Sequence, residues 1–119
     1  MSHLPTVDKT QIQRLREWGG TELQRKMIDL FLAHSGARVQ QIRDGLSGPD
    51  LKLVETGAHT LKSSAGNVGA RRLQTLAADA ESIAEAGRLQ ELQELFPSLE
   101  KEFQSACQAL RTVLEELPE

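Results

Sequence analysis

The sequence predicts an all-α protein: an antiparallel up-down four-helix bundle with a short N-terminal lid helix. Three observations predict it. Ala, Leu, Glu, Gln and Arg dominate, while the aromatic residues are three Phe and one Trp with no Tyr, a balance that favours helix. No stretch of useful length alternates apolar with polar residues as a half-buried strand does. Apolar residues instead recur every three or four positions, in segments separated by Gly and Pro.

Taken in order, Asp8 caps a short first helix, with Gln11 three residues later as in a capping box. Ile12, Leu15 and Trp18 form its apolar edge until Gly19-Gly20 stops it. Thr21 caps a long second helix with the stripe Leu23, Met27, Ile28, Phe31, Leu32, Val39, Ile42 and Leu46. In GLSGPD (45 to 50), Gly48 breaks that helix and Pro49 suits the first position of the third, which runs to about Asn67. Gly69 marks a joint before the fourth helix, where Leu73, Leu76, Ala77, Ala80, Ile83 and Ala84 share a face up to Ala86-Gly87. The last pattern, from Leu89 through Leu92, Phe96, Leu99, Phe103, Ala106, Leu110 and Leu114 to Leu117, closes the core. Pro97 lies inside it and is expected to kink the helix or restart it after Phe96. Short connections between long amphipathic helices make antiparallel neighbours.

At 119 residues the chain is expected to be a single domain spanning 1–119, with residues 1 to 7 flexible and His3 disordered. Fourteen Lys and Arg against seventeen Asp and Glu give a net charge of −3, without the basic excess of nucleic-acid binding. One cysteine, Cys107, forms no internal disulfide, no Cys/His cluster points to zinc, and a reducing cytoplasm fits best. No secretory leader and no apolar run of the ~18 residues that a membrane span needs is present, so the reading is an unprocessed soluble protein.

The residue that calls for chemistry is His59, within AHTLKSSAGNVGA (58 to 70). At about 100° per residue, Val54, Ala58, Leu61, Ala65 and Val68 face the bundle, and His59 lies about 140° from their centre, facing solvent. Lys52, Glu55, Lys62, Ser63 and Gly66 share that outer face. The face argues against a core histidine. No ligand type lies at i+3 or i+4, and Glu55 at i−4 is a single possible partner, so a metal site is poorly supported. An outer face among small residues suits docking of a macromolecule better than a concave acid–base site. A neutral imidazole has a free lone pair at cellular pH and can accept a phosphoryl group. Lys62 would offset the added charge, and Ser and Gly66 would let a partner approach. These residues alone leave a surface nucleophile and an incidental exposed histidine both open.

Residues 58 to 81, AHTLKSSAGNVGARRLQTLAADAE, resemble the signature of the histidine-containing phosphotransfer (HPt) domains of multistep two-component phosphorelays. The likeness lies in His, a hydrophobe at +2, Lys at +3, small residues at +4 to +6, Gly-Ala at +10 and +11, and a Leu-rich helix ending in Glu. Weaker similarity covers nearly the whole chain. The resemblance implies that His59 is the phosphoaccepting nucleophile, through Nε2, and that Lys62 holds the phosphoryl group electrostatically. It implies that Ser63 and Ser64 lie at the contact with a receiver domain, and that Glu81 accepts a hydrogen bond from the other imidazole nitrogen. Ser63 stands where Gly is commonest in the family, and Glu81 where some members have Gln.

The implied partners are receiver domains of response regulators or a hybrid sensor histidine kinase, docking on the face of the second and third helices. The expected protein is a monomeric phosphorelay intermediate, passing the group from one phosphoaspartyl receiver to another. It would have no cofactor of its own, the receiver supplying Mg²⁺. Neither a GxxxxGK[ST] loop nor a Gly-rich kinase loop is present, so ATP is not its substrate. The initial Met and full helix set favour a free-standing protein over a domain of a hybrid kinase. A helical adaptor that binds without phosphotransfer is the competing reading, and a metal-binding bundle a third. Ile12, Leu15, Met27 and Trp18 fit either packing of the lid or the partner surface. His34 reads as a boundary residue of the second helix, and Cys107 as core filler.

Overall fold

Each helix is fixed by a local signal at its ends and by one apolar face. The computed structural model describes residues 4–118, which form α1 (Lys9–Ser47), α2 (Leu51–Asn67), α3 (Arg71–Glu85) and α4 (Leu89–Glu116), with no strand among the described residues. Turns of three residues, 48–50, 68–70 and 86–88, reverse the chain between them. Each helix packs on the next and α4 returns to α1, closing an antiparallel four-helix bundle. Gly69 (φ 75°) and Gly87 (φ 76°) supply the left-handed backbone at two of the turns.

The expected lid and second helix are two arms of α1, separated by a non-helical break at Gly19 and Gly20. Gly20 has φ 71°, a conformation that favours glycine. Ile12 and Leu15 on the first arm are buried. The buried Gln24 of the second arm donates its amide to the Ile12 carbonyl at 2.9 Å, tying the arms together across the break.

Asp8 caps α1 by accepting from the Thr10 N–H at 2.9 Å, but no capping box forms. The Gln11 amide instead donates to the Asn67 carbonyl at 3.2 Å, and the Asp8 N–H to the Gly69 carbonyl at 2.7 Å. The joint between α2 and α3 lies against the start of α1 and takes these donors; Arg71 adds an ion pair to Asp8 at 3.2 Å. Pro49 belongs to the turn, not to the first helical position, because Asp50 is the cap of α2 and accepts from the Leu53 N–H at 3.1 Å. Before α1, Val7 packs against the core and the Leu4 carbonyl accepts from Arg72. His3 lies outside the described residues.

The expected restart after Phe96 does not occur: α4 runs through Pro97. The carbonyl that loses its partner is that of Gln93, an exposed residue, so the missing hydrogen bond falls on the solvent side of the helix rather than in the core. Buried Leu92 and Leu99 hold both sides in register. Arg43 lies 5.6 Å over the Phe96 ring and pairs with Glu100. The core joins Ile28, Phe31 and Ile42 of α1 to Leu99 and Leu110 of α4, over a layer of Ala58, Ala65, Ala77 and Ala80. Cys107 is buried, and burial pushes its thiol pKa up.

Candidate functional site

Packing one face of α2 fully leaves the opposite face to solvent. Val54, Ala58, Leu61 and Ala65 are 0% exposed, and the His59 side chain, one position after Ala58, is 62% exposed. The periodicity therefore places His59 correctly.

The pairing of α2 with α3 sets Glu81 beside the imidazole. His59 Nδ1 lies 2.6 Å from Glu81 Oε2, and Lys62 Nζ donates to Glu81 Oε1 at 2.5 Å. One carboxylate thus engages both side chains. The Lys62 hydrogen bond, reinforced by that of His59, holds the Glu81 carboxyl below the usual carboxylate range, against the opposing effect of desolvation. An ionised carboxylate only accepts, so the Nδ1 beside it carries the proton. Neutral His59 then has its lone pair on Nε2, on a ring that Glu81 fixes in orientation.

Ser63 is exposed on the same face. Ser64 and Met27 line a cleft of about 230 Å³ between α1 and α2, together with exposed His34 and buried Ser35. One expectation for the partner surface changes. Ile12 and Leu15 are 8% and 3% exposed, because they are the apolar side of the first arm of α1 and pack into the core. Gly66 is half-buried, with the end of the Gln74 side chain of α3 beside it, Nε2 2.8 Å from where a Cβ would stand. Trp18, by contrast, is 69% exposed.

Sequence reasoning assigned no role to a second concavity, of about 220 Å³, where Lys52, Glu55, Thr56 and Thr60 join His59 and Glu81. The signal was available, since Lys52 is seven residues before His59 and shares its face. Among the described residues no three of His, Cys, Asp and Glu lie together as a metal site would require, and no helix is long and apolar enough to cross a membrane.

An exposed histidine with one nitrogen fixed by a carboxylate, on the second helix of this bundle, is the arrangement to set beside known proteins. The family model described as Hpt domain matches residues 26–118. The chain belongs to the Hpt domain family. Its role is histidine phosphotransfer in phosphorelay signalling. The crystal structure of histidine-containing phosphotransfer protein B from Pseudomonas aeruginosa PAO1 shares the fold. Its TM-score is 0.89 at 23% sequence identity, over 96% of this chain and 98% of that one. No curated protein matches the sequence. Hpt proteins are phosphotransfer intermediates rather than kinases, and their domains interact with receiver domains and kinases.

Proposed function

We propose that His59 accepts a phosphoryl group from a phosphoaspartyl receiver domain and passes it to a second receiver. The observation that carries this reading is the exposed imidazole whose Nδ1 is bound to Glu81 at 2.6 Å. The Nε2 lone pair attacks phosphorus, the N–P bond forms as the P–O bond to the receiver's aspartate breaks, and the aspartate leaves as carboxylate with the bonding pair. Positive charge gained by the ring is balanced by Glu81 through the Nδ1–H. The Lys62 ammonium beside Glu81 lowers the cost of bringing more negative charge to this face. Transfer to the second receiver is the same step reversed.

The Mg²⁺ needed for the aspartyl chemistry comes with the receiver. This chain contributes a positioned nucleophile as a monomer in the cytoplasm, and it uses neither ATP nor nucleic acid. The docking face is that of α1 and α2, where Ser63, Ser64 and Met27 lie beside His59. Incubation with a phosphorylated receiver domain and Mg²⁺ tests the reading. The expected product is an acid-labile, alkali-stable phosphate on the wild-type chain, lost in His59→Gln with helicity unchanged. A wild-type chain that takes up no such label is an adaptor, not a relay.

A further inference from the structure

We propose that Glu81 keeps the phosphorylated ring of His59 protonated at Nδ1 and so makes the phosphoryl group short-lived and readily passed on, an inference that rests on the reading of His59 as the acceptor. Attack through Nε2 leaves the ring cationic, with its proton still on Nδ1. The fate of that proton decides how the N–P bond breaks. While the proton stays, the bonding pair returns to Nε2 and the ring departs as neutral imidazole. Once it has gone, the ring must depart as imidazolate, a far poorer leaving group.

The geometry holds the proton in place. Glu81 Oε2 lies 2.6 Å from Nδ1, within the range of a charge-assisted hydrogen bond. The Glu81 side chain is 20% exposed against 62% for His59, so the contact is partly sheltered and stronger than it would be in open water. The Lys62 hydrogen bond keeps the Glu81 carboxyl below the usual carboxylate range, and near neutral pH it is an anion.

The neighbouring charges leave Glu81 in control. The ring lines a hollow whose other charged residues are Lys52 and Glu55 of α2, paired with each other at 3.7 Å. Their charges offset, and neither α1 nor α4 contributes to the lining. Lys62 takes Oε1, the other oxygen. An ammonium that turns to the phosphoryl group, the role the family resemblance gives Lys62, therefore leaves Oε2 on Nδ1 and the carboxylate charge to the ring alone. Glutamine at this position would accept from Nδ1 without a charge and hold the proton less firmly.

Phosphorus NMR of the full chain tests this, with His59 loaded from phosphoramidate and no receiver present, by following loss of the phosphoryl group from about pH 6 to about pH 9. Water attacks phosphorus as the N–P bond breaks, phosphate keeps the water oxygen, a proton goes to solvent, and the imidazole retains Nδ1–H. The wild type is expected to keep its fast loss to higher pH than Glu81→Gln, with a difference of about tenfold near pH 8 that closes in acid, where both rings are protonated. A merely structural role for Glu81 would change the rates in one proportion at every pH. Profiles that superimpose, or that differ only by a constant factor, overturn the inference. Nitrogen-15 spectra read the same proton directly: Nδ1–H of the phosphorylated ring is expected to persist to higher pH in the wild type than in Glu81→Gln, and equal persistence also overturns it. The phosphohistidine signal that disappears in His59→Gln belongs to His59. If none disappears, the reading of His59 as acceptor falls, and the role of Glu81 with it.

Discussion

Glu81 Oε2 lies 2.6 Å from His59 Nδ1 although the two residues are 22 positions apart in the chain. The same carboxylate takes the Lys62 ammonium on its other oxygen, so His59 and Lys62 share one anion. Glu81→Ala removes the acceptor and frees the ring to rotate. Phosphotransfer from a receiver is expected to slow about tenfold or more, from the loss of a hydrogen bond to a charged group. Glu81→Gln keeps an acceptor oxygen and is expected to fall between wild type and Ala. Rapid-quench rates at equal receiver concentration check the order, and an Ala variant as fast as wild type denies Glu81 its role.

Acid weakens the fold through the same carboxylate. The Glu81 pKa is held below its ordinary 4.5, chiefly by the Lys62 hydrogen bond, and that of Asp8 below its ordinary 3.8, chiefly by the Thr10 N–H. Between the folded and unfolded values the unfolded chain binds more protons, so stability from these two groups rises with pH there. It is fully present above about pH 5 and is lost as pH falls through their folded values. Urea denaturation from pH 7 to pH 3 is expected to show falling midpoints in acid, with a smaller fall in an Asp8→Asn, Glu81→Gln double variant.

Glu102 has the opposite sign. Burial raises its pKa above 4.5 and Arg72 offsets this only in part, and its Oε2 is buried without a hydrogen-bond partner. The folded chain therefore binds the proton more tightly than the unfolded chain, and ionisation of Glu102 costs stability as pH rises. Glu102→Gln is expected to stabilise the protein at pH 7 by up to about 1 kcal/mol. The gain should shrink at pH 4, where wild-type Glu102 is itself largely protonated; urea denaturation at both values measures it.

The faces of the helices were legible in the sequence because one position in 100° steps decides what is buried, and the Gly and Pro signals placed the turns. His59 was legible for that reason. Partners across the bundle were not. Periodicity places Gly66 on the outer face of α2, but only the pairing with α3 shows Gln74 lying beside it. Gln24 shares the spacing of Ile28 and Phe31, but what satisfies a buried amide there is not local: across the break at Gly19 and Gly20 it donates to the Ile12 carbonyl. Glu81 came from the family resemblance alone, since nothing in local spacing brings a residue of α3 to an imidazole on α2. The restart expected at Pro97 fails for a similar reason: a helix breaker in isolation is carried here inside one helix, with buried Leu92 and Leu99 on either side.

Close approach of helices predicts an order among glycine variants that sequence position does not. A Cβ on Gly45 of α1 would stand 2.6 Å from Val54 Cγ2 and 2.9 Å from the Asp50 carbonyl oxygen. The second contact is with backbone, so relief requires α2 to move away from α1. Gly45→Ala is expected to destabilise the fold by about 2 kcal/mol. On Gly57 the nearest atoms are the Gln41 side chain at 3.2 Å and the Arg38 carbonyl at 3.3 Å; the Gln41 side chain can shift but that carbonyl cannot, so a smaller loss is expected. Gly36 is exposed, with only Phe103 at 3.9 Å from the added atom. There Ala keeps ordinary contact distance and gains helix propensity, so Gly36→Ala is expected to stabilise by about 0.5–1 kcal/mol. Denaturation midpoints in the order Gly36→Ala above wild type, then Gly57→Ala, then Gly45→Ala check the packing of α2 on α1. A Gly45→Ala protein as stable as wild type would place the two helices farther apart than described.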